Sequence, residues 1–90
     1  MKLTEIAEKI NAHLSRFEND PEINKRREAN KLLPYHWASA RATKRHVSVV
    51  YVSFQGPSYL SKAEALEYLA WLDAGNVGRH YKMQHDKRGE

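Results

Sequence analysis

"HVSVVYVSFQGPSYLSKAEALEYLAWL", residues 46–72, holds the signals that decide the fold. Val47 to Phe54 is β-branched and aromatic throughout, which predicts a strand. Val47, Val49 and Tyr51 share one face, and Val50, Val52 and Phe54 share the other. Apolar residues on both faces predict a central strand, or one partly covered by a partner. Gln55-Gly56-Pro57-Ser58 reads as a turn, and Tyr59 and Leu60 begin a short third strand. Ser61, Lys62, Ala63 and Glu64 then spell Ser-x-x-Glu, the capping box in which a hydroxyl and a carboxylate each satisfy a free N–H at a helix start. The helix that follows, "KAEALEYLAWLDA", is expected to bury Leu66, Leu69, Ala70 and Leu72 and to carry Tyr68 and Trp71 on a flank. Gly75 can end it in a left-handed turn.

Working outward, the residues before His46 supply a first strand and two helices. Tyr35 to Ala42 alternates, with Tyr35, Trp37, Ser39 and Arg41 on one face and His36, Ala38, Ala40 and Ala42 on the other. "TKRH" is the turn that joins it to the central strand. At the N-terminus, Leu3, Ile6, Ala7, Ile10, Leu14 and Phe17 follow the three-and-four spacing of an amphipathic helix, stopping near Phe17. Thr4 can cap it, and Glu5 and Glu8 lie near the positive end of its dipole. Asp20 and Pro21 suit the cap and first position of a second helix, "PEINKRREANKLL". That segment is mostly polar, ends before Pro34, and has only Ile23, Leu32 and Leu33 as large apolar residues. Past Gly75, "NVGRHYKMQHDKRGE" reads as a basic, aromatic-containing tail, ordered at first, frayed at the end and partly flexible over 80–90. The expected fold is α+β: a single domain over residues 1–90. In it a small antiparallel sheet of two to three strands is packed by an N-terminal and a C-terminal helix, with an additional short basic helix or loop.

Ninety residues allow one modest core, burying about 60–70% of the unfolded surface. The absence of cysteine excludes disulfides and thiolate zinc sites and suits a reducing cytosol. No apolar run approaches the roughly 20 residues a membrane span needs. Acids in "MKLTEIAEKI" speak against an export signal, so a cytoplasmic location is expected. The charge is +4, but unevenly spread: residues 21–46 carry seven bases and two acids, net +5, and residues 77–90 net +2. Residues 1–20 carry net −1 and residues 61–76 net −2. Clustered positive charge is the footprint of a polyanion binder, although a solvated basic loop produces the same count.

Little in the chain points to catalysis. The histidines at 13, 36, 46, 80 and 85 form no His-Glu-x-x-His or His-x-x-x-His pair, so surface histidine is the expected role and no metal or other cofactor is expected. No Gly-x-Ser-x-Gly elbow occurs. Gly75-Asn76-Val77-Gly78 matches the Gly-x-x-Gly of KH loops but follows a helix, where it reads as a stop. The remaining candidates are cations and aromatics: Lys25, Arg26, Arg27 and Lys31 recurring over one or two helical turns, Arg41, Lys44 and Arg45 on the hairpin, and Arg79 and Lys82 in the tail, followed by Lys87 and Arg88. Arg and Lys neutralise phosphates, while Tyr and Trp stack on exposed bases. Tyr35, Trp37, Arg41, Lys44 and Arg45 are expected to form one patch; core packing is the competing role for Trp37, as for Tyr51 and Trp71.

Residues 46–72 resemble the strand-turn-strand-helix of AP2-like and integrase arm-binding DNA modules. The whole element order, with "SKAEAL" opening the last helix, is similar to a double-stranded-RNA-binding domain. That family carries further lysines at this helix start, where Ala63 and Glu64 stand here. A third resemblance is to a class. The cysteine-free helix-sheet-helix plan, with "EALEYLAWLDAGNVGRHYK", looks like the small phage proteins directed against host defences, of which anti-CRISPR proteins are the best known. It implies a non-enzymatic inhibitor that binds a nucleic-acid-loaded CRISPR surveillance complex, a ribonucleoprotein, and blocks target DNA through a basic surface. A small DNA- or RNA-binding regulator is the alternative, and neither expectation involves a membrane or a small-molecule substrate.

Overall fold

The computed structural model describes residues 1–31, 39–50 and 58–87, the last three of these by main chain only. Among the described residues, four helices and three strands follow in the order α1 (Leu3–Asn19), α2 (Pro21–Ala29), β1 (Ser39–Ala42), β2 (Val47–Val50), β3 (Ser58–Leu60), α3 (Lys62–Asp73) and α4 (His80–Lys87). The strands form an antiparallel meander with β2 in the centre. The fold is therefore α+β, a three-stranded sheet flanked by helices from both ends of the chain. Among the described residues no helix is long and apolar enough to cross a membrane.

One face of the sheet makes the core. In register, Ala40 pairs with Val49 and Ala42 with Val47, and Val47 pairs in turn with Leu60. Ala40, Val47, Val49 and Leu60 are buried against Ile6, Ala7, Ile10, Leu14 and Phe17 of α1 and Ala65, Leu69 and Leu72 of α3. The apolar spacing of α1 is thus used in full. The small side chain of Ala40 lets α1 come close. Asn11 donates from Nδ2 to the Ala40 C=O at 2.6 Å, and its Oδ1 accepts from the Ala40 N–H at 2.6 Å. A helix side chain occupies the outer edge of β1 as a neighbouring strand would, which satisfies main-chain groups that would otherwise be buried or open to pairing.

The helix ends are set by local chemistry. α1 starts one residue before the expected Thr4 cap. Lys2 holds the cap position without a side-chain bond, and Leu3 in the first turn packs against the core. It runs on past Phe17 to Asn19. There Asn24 folds the corner into α2 by donating to the carbonyls of Phe17, Glu18 and Asp20. Asp20 caps α2 as expected, accepting from the N–H groups of Glu22 and Ile23. α2 ends at Ala29, short of the expected Leu33. It buries no residue, so nothing tertiary extends it, and Lys31 takes a left-handed φ of 60°. Leu32 and Leu33 lie outside the described residues.

In α3 the capping box is complete in both directions. Gly75 follows at φ 99°, the left-handed turn expected there. The buried face is rotated from the expected one. Ala65, Tyr68, Leu69 and Leu72 face inward, while Leu66 is 37% exposed and Ala70 is exposed. The cause is α4, a helix over His80–Lys87 within the segment read as a partly flexible tail. It packs on α3 with Met83 fully buried, so α3 is covered on the Tyr68 side as well. Tyr68 lies in the interior rather than on a flank, and its hydroxyl donates to the Gly78 C=O at 2.7 Å. Trp71 is partly buried, its ring stacked on that of Tyr68 at 6.2 Å. The core role weighed for it holds.

Candidate polyanion-binding surface

The expected cations divide by element and by partner. Lys25, Arg26 and Arg27 ride on α2, which packs against α1, whereas Lys31 lies beyond the helix end and does not share its turns. Arg26 donates to the Glu22 carboxylate at 3.2 Å, and Arg27 is half-buried and engaged with other groups. Arg79 is also half-buried and engaged. Lys82 lies along Gly78, where its Nζ donates to the Val77 C=O at 3.4 Å. Lys25, Lys31, Arg41, Lys44 and Arg45 remain as exposed cations without an ion-pair partner among the described residues.

Three of those five sit together on the β1–β2 hairpin. Arg41 lies on the sheet face away from the helices, opposite Ser48 in β2. Lys44 and Arg45 occupy the turn, which Thr43 closes: its N–H donates to the His46 C=O at 2.8 Å, and its hydroxyl accepts from the His46 N–H at 3.0 Å. The hairpin is rigidly closed at its base, so the three cations project from a fixed scaffold. No Asp or Glu occurs anywhere between Glu28 and Glu64, so no carboxylate within that stretch competes for them.

The turn lies at the same end of the sheet as the start of α3, because Val47 pairs with Leu60 and Ser61 follows at once as the cap. Glu64 is the acid there. The Ser61 N–H donates to its carboxylate at 2.9 Å and holds its pKa below the ordinary carboxylate value. The Ser61 hydroxyl adds to this, a small desolvation opposes it, and the charges of His80 and then His46 lower it further. His46 on the hairpin and His80 at the start of α4 thus both contribute positive potential at Glu64. The second and third basic groups approach one end of the molecule, while α2 departs from the C-terminal end of α1.

Tyr35 and Trp37 of the expected patch lie outside the described residues. The alternation that placed Ser39 and Arg41 on one face and Ala40 on the other holds, with Ser39 and Arg41 exposed and Ala40 buried. The sequence reading missed Tyr59, which is 61% exposed and stands in the same cross-strand row as Arg41 and Ser48. Its position two residues into β3, out of phase with the buried Leu60, was the available signal. Of the histidines, His13 is structural. Its Nε2 lies 2.7 Å from the Asp73 carboxylate of α3 and its Nδ1 3.0 Å from the Arg16 guanidinium. Among the described residues no three His, Asp or Glu side chains converge as a metal site would require. No protein-family model matches the chain, and no curated protein or solved structure matches it either.

Proposed function

We propose that this protein is a non-catalytic binder that docks on a nucleic-acid-loaded bacterial defence ribonucleoprotein and blocks its access to target DNA. The observation that carries the binding half of this reading is the hairpin. Arg41, Lys44 and Arg45 are exposed and unpaired among the described residues, on a tightly closed turn within an acid-free stretch. Such cations break no ion pair among the described residues when they meet phosphates, and the counterions they release favour binding. The class of partner rests on the likeness of the helix-sheet-helix plan to phage anti-CRISPR proteins. Purified RNA-loaded surveillance complex, run on size exclusion with and without this protein, tests it. Co-elution that prevents target DNA from binding is the expected result, and Lys44→Ala/Arg45→Ala should abolish it. A complex that binds target DNA unchanged overturns the reading.

A small DNA- or RNA-binding regulator is the second reading. It is favoured by the three-stranded meander running directly into α3, the plan that the AP2-like and arm-binding resemblance implies. Tight binding to free nucleic acid without any association with the complex would select it.

A further inference from the structure

The sheet has a second face, which carries Ser39, Arg41, Ser48, Val50 and Tyr59. In register, Arg41 of β1 pairs with Ser48 of β2, which pairs with Tyr59 of β3; beside this row Ser39 pairs with Val50. Ser39, Arg41, Val50 and Tyr59 are exposed while Ser48 between them is buried, and α1 and α3 lie on the opposite face, against Ala40, Val47, Val49 and Leu60. The row therefore sets a cation and an open aromatic ring two strands apart, about 10 Å. His46, next to Arg45 in the turn, meets the Tyr59 ring edge-on at 6.2 Å and 72°, which fixes the ring from one side.

Ladder geometry adds polar groups beside the ring. The Ala40 N–H and C=O bond to Asn11, so the Ala40–Val49 pair is not hydrogen-bonded across β1 and β2. Because bonded and non-bonded pairs alternate, Ser48 bonds to Arg41 and turns its main chain away from β3. The N–H and C=O of Tyr59 accordingly point to the outer edge of β3, where an extruded base could meet them.

We infer that this face binds unpaired RNA, with one base stacked on Tyr59 and its flanking phosphates held by Arg41, Lys44 and Arg45. The inference rests on the proposed function and deepens it, since it names the part of a ribonucleoprotein that the hairpin would grip. A flat aromatic exposed on the outer strand of an antiparallel sheet suits a splayed base, which a duplex does not offer. Charge complementarity points the same way: the sheet strands and their turn carry three cations and no carboxylate, and the acid at that end, Glu64, is engaged by the Ser61 N–H at the start of α3. The exposed Ser39 hydroxyl, on the same face as Arg41, offers a partner for the ribose 2′-OH that DNA lacks.

Fluorescence anisotropy with a labelled oligouridine of about 12 nucleotides tests this, alongside the matching deoxyuridine strand and an RNA duplex of equal length. Wild-type protein should prefer the oligouridine to both. Tyr59→Ala should weaken that binding about tenfold and leave the duplex unaffected, while Tyr59→Phe, which keeps the stacking face, stays within about twofold of wild type. Circular dichroism confirms the fold of each variant. Salt-sensitive binding that is the same in wild type and folded Tyr59→Ala overturns the stacking assignment and leaves the basic hairpin intact. Equal affinity for the deoxyuridine strand overturns the assignment to RNA. Absence of binding to any of the three overturns the inference, while the complex-association experiment still decides the proposed function by itself.

Discussion

At the scale of single residues, Tyr68 and Asn11 each hold a buried polar contact that no periodicity reveals. Tyr68 is fully buried with its hydroxyl on the Gly78 carbonyl. Tyr68→Phe keeps the ring and strips that carbonyl of its donor, which should cost about 1–2 kcal/mol in chemical denaturation. Removing the ring as well, in Tyr68→Ala, should cost about 3–5 kcal/mol. Leu66→Ala and Val50→Ala should each cost less than about 1 kcal/mol, because both side chains are 37% exposed and leave no closed cavity. Comparable losses in all four variants would contradict the rotated face of α3. Asn11→Asp is a sharper probe than Asn11→Ala. It still accepts from the Ala40 N–H but turns an oxygen toward the Ala40 C=O, so unfolding midpoints should fall markedly at neutral pH.

At the scale of elements, the start of α3 couples stability to pH. Hydrogen bonds to the charged form lower the folded pKa of Glu64, the first of them from the Ser61 N–H. A carboxyl with a depressed folded value adds stability that is complete above its unfolded value, about 4.3, and is lost as pH falls through the folded value. Glu64→Gln retains the shape of the capping box without the charge. The melting temperature of wild type should therefore exceed that of Glu64→Gln at neutral pH, with the gap closing on acidification below about pH 4. A gap that persists in acid would assign the effect to geometry alone. The two N-terminal helices should also differ in dynamics. α2 buries no residue, whereas α1 buries five, so hydrogen exchange should find the α2 amides the faster by orders of magnitude.

At the scale of the molecule, α1 and α3 are clamped across sixty residues of sequence by His13 and Asp73. Asp73 is 61% exposed at its side chain, so Asp73→Ala should cost at most about 1 kcal/mol, read as a small fall in melting temperature. Charge placement sets the salt response of nucleic-acid binding. Three phosphate contacts on a single strand give a log–log slope of about −2, or about a twentyfold loss between roughly 50 and 200 mM salt. Engagement of Lys25 and Lys31 as well would raise the loss to about a hundredfold. A titration in that range therefore tells whether the hairpin acts alone, and Arg45→Ala should reduce the slope without changing the melt.

Sequence alone determined what local chemistry controls. The apolar spacing of α1, the Asp20 and Ser61 caps, the turn at Thr43–His46 and the stop at Gly75 each depend on neighbours within a few residues, and each is found as expected. The central place of β2 followed from apolar residues on both its faces, and the clustering of cations from counting. Contacts between distant segments decided the rest. Met83 makes α4 a packed helix because α3 is there to receive it, and that contact turns Tyr68 inward and leaves Leu66 outside. The early end of α2 reflects the lack of any surface to bury. The row of Arg41, Ser48 and Tyr59 exists only in the register of three paired strands, since residues eighteen apart in the chain meet by hydrogen-bonded alignment and not by spacing.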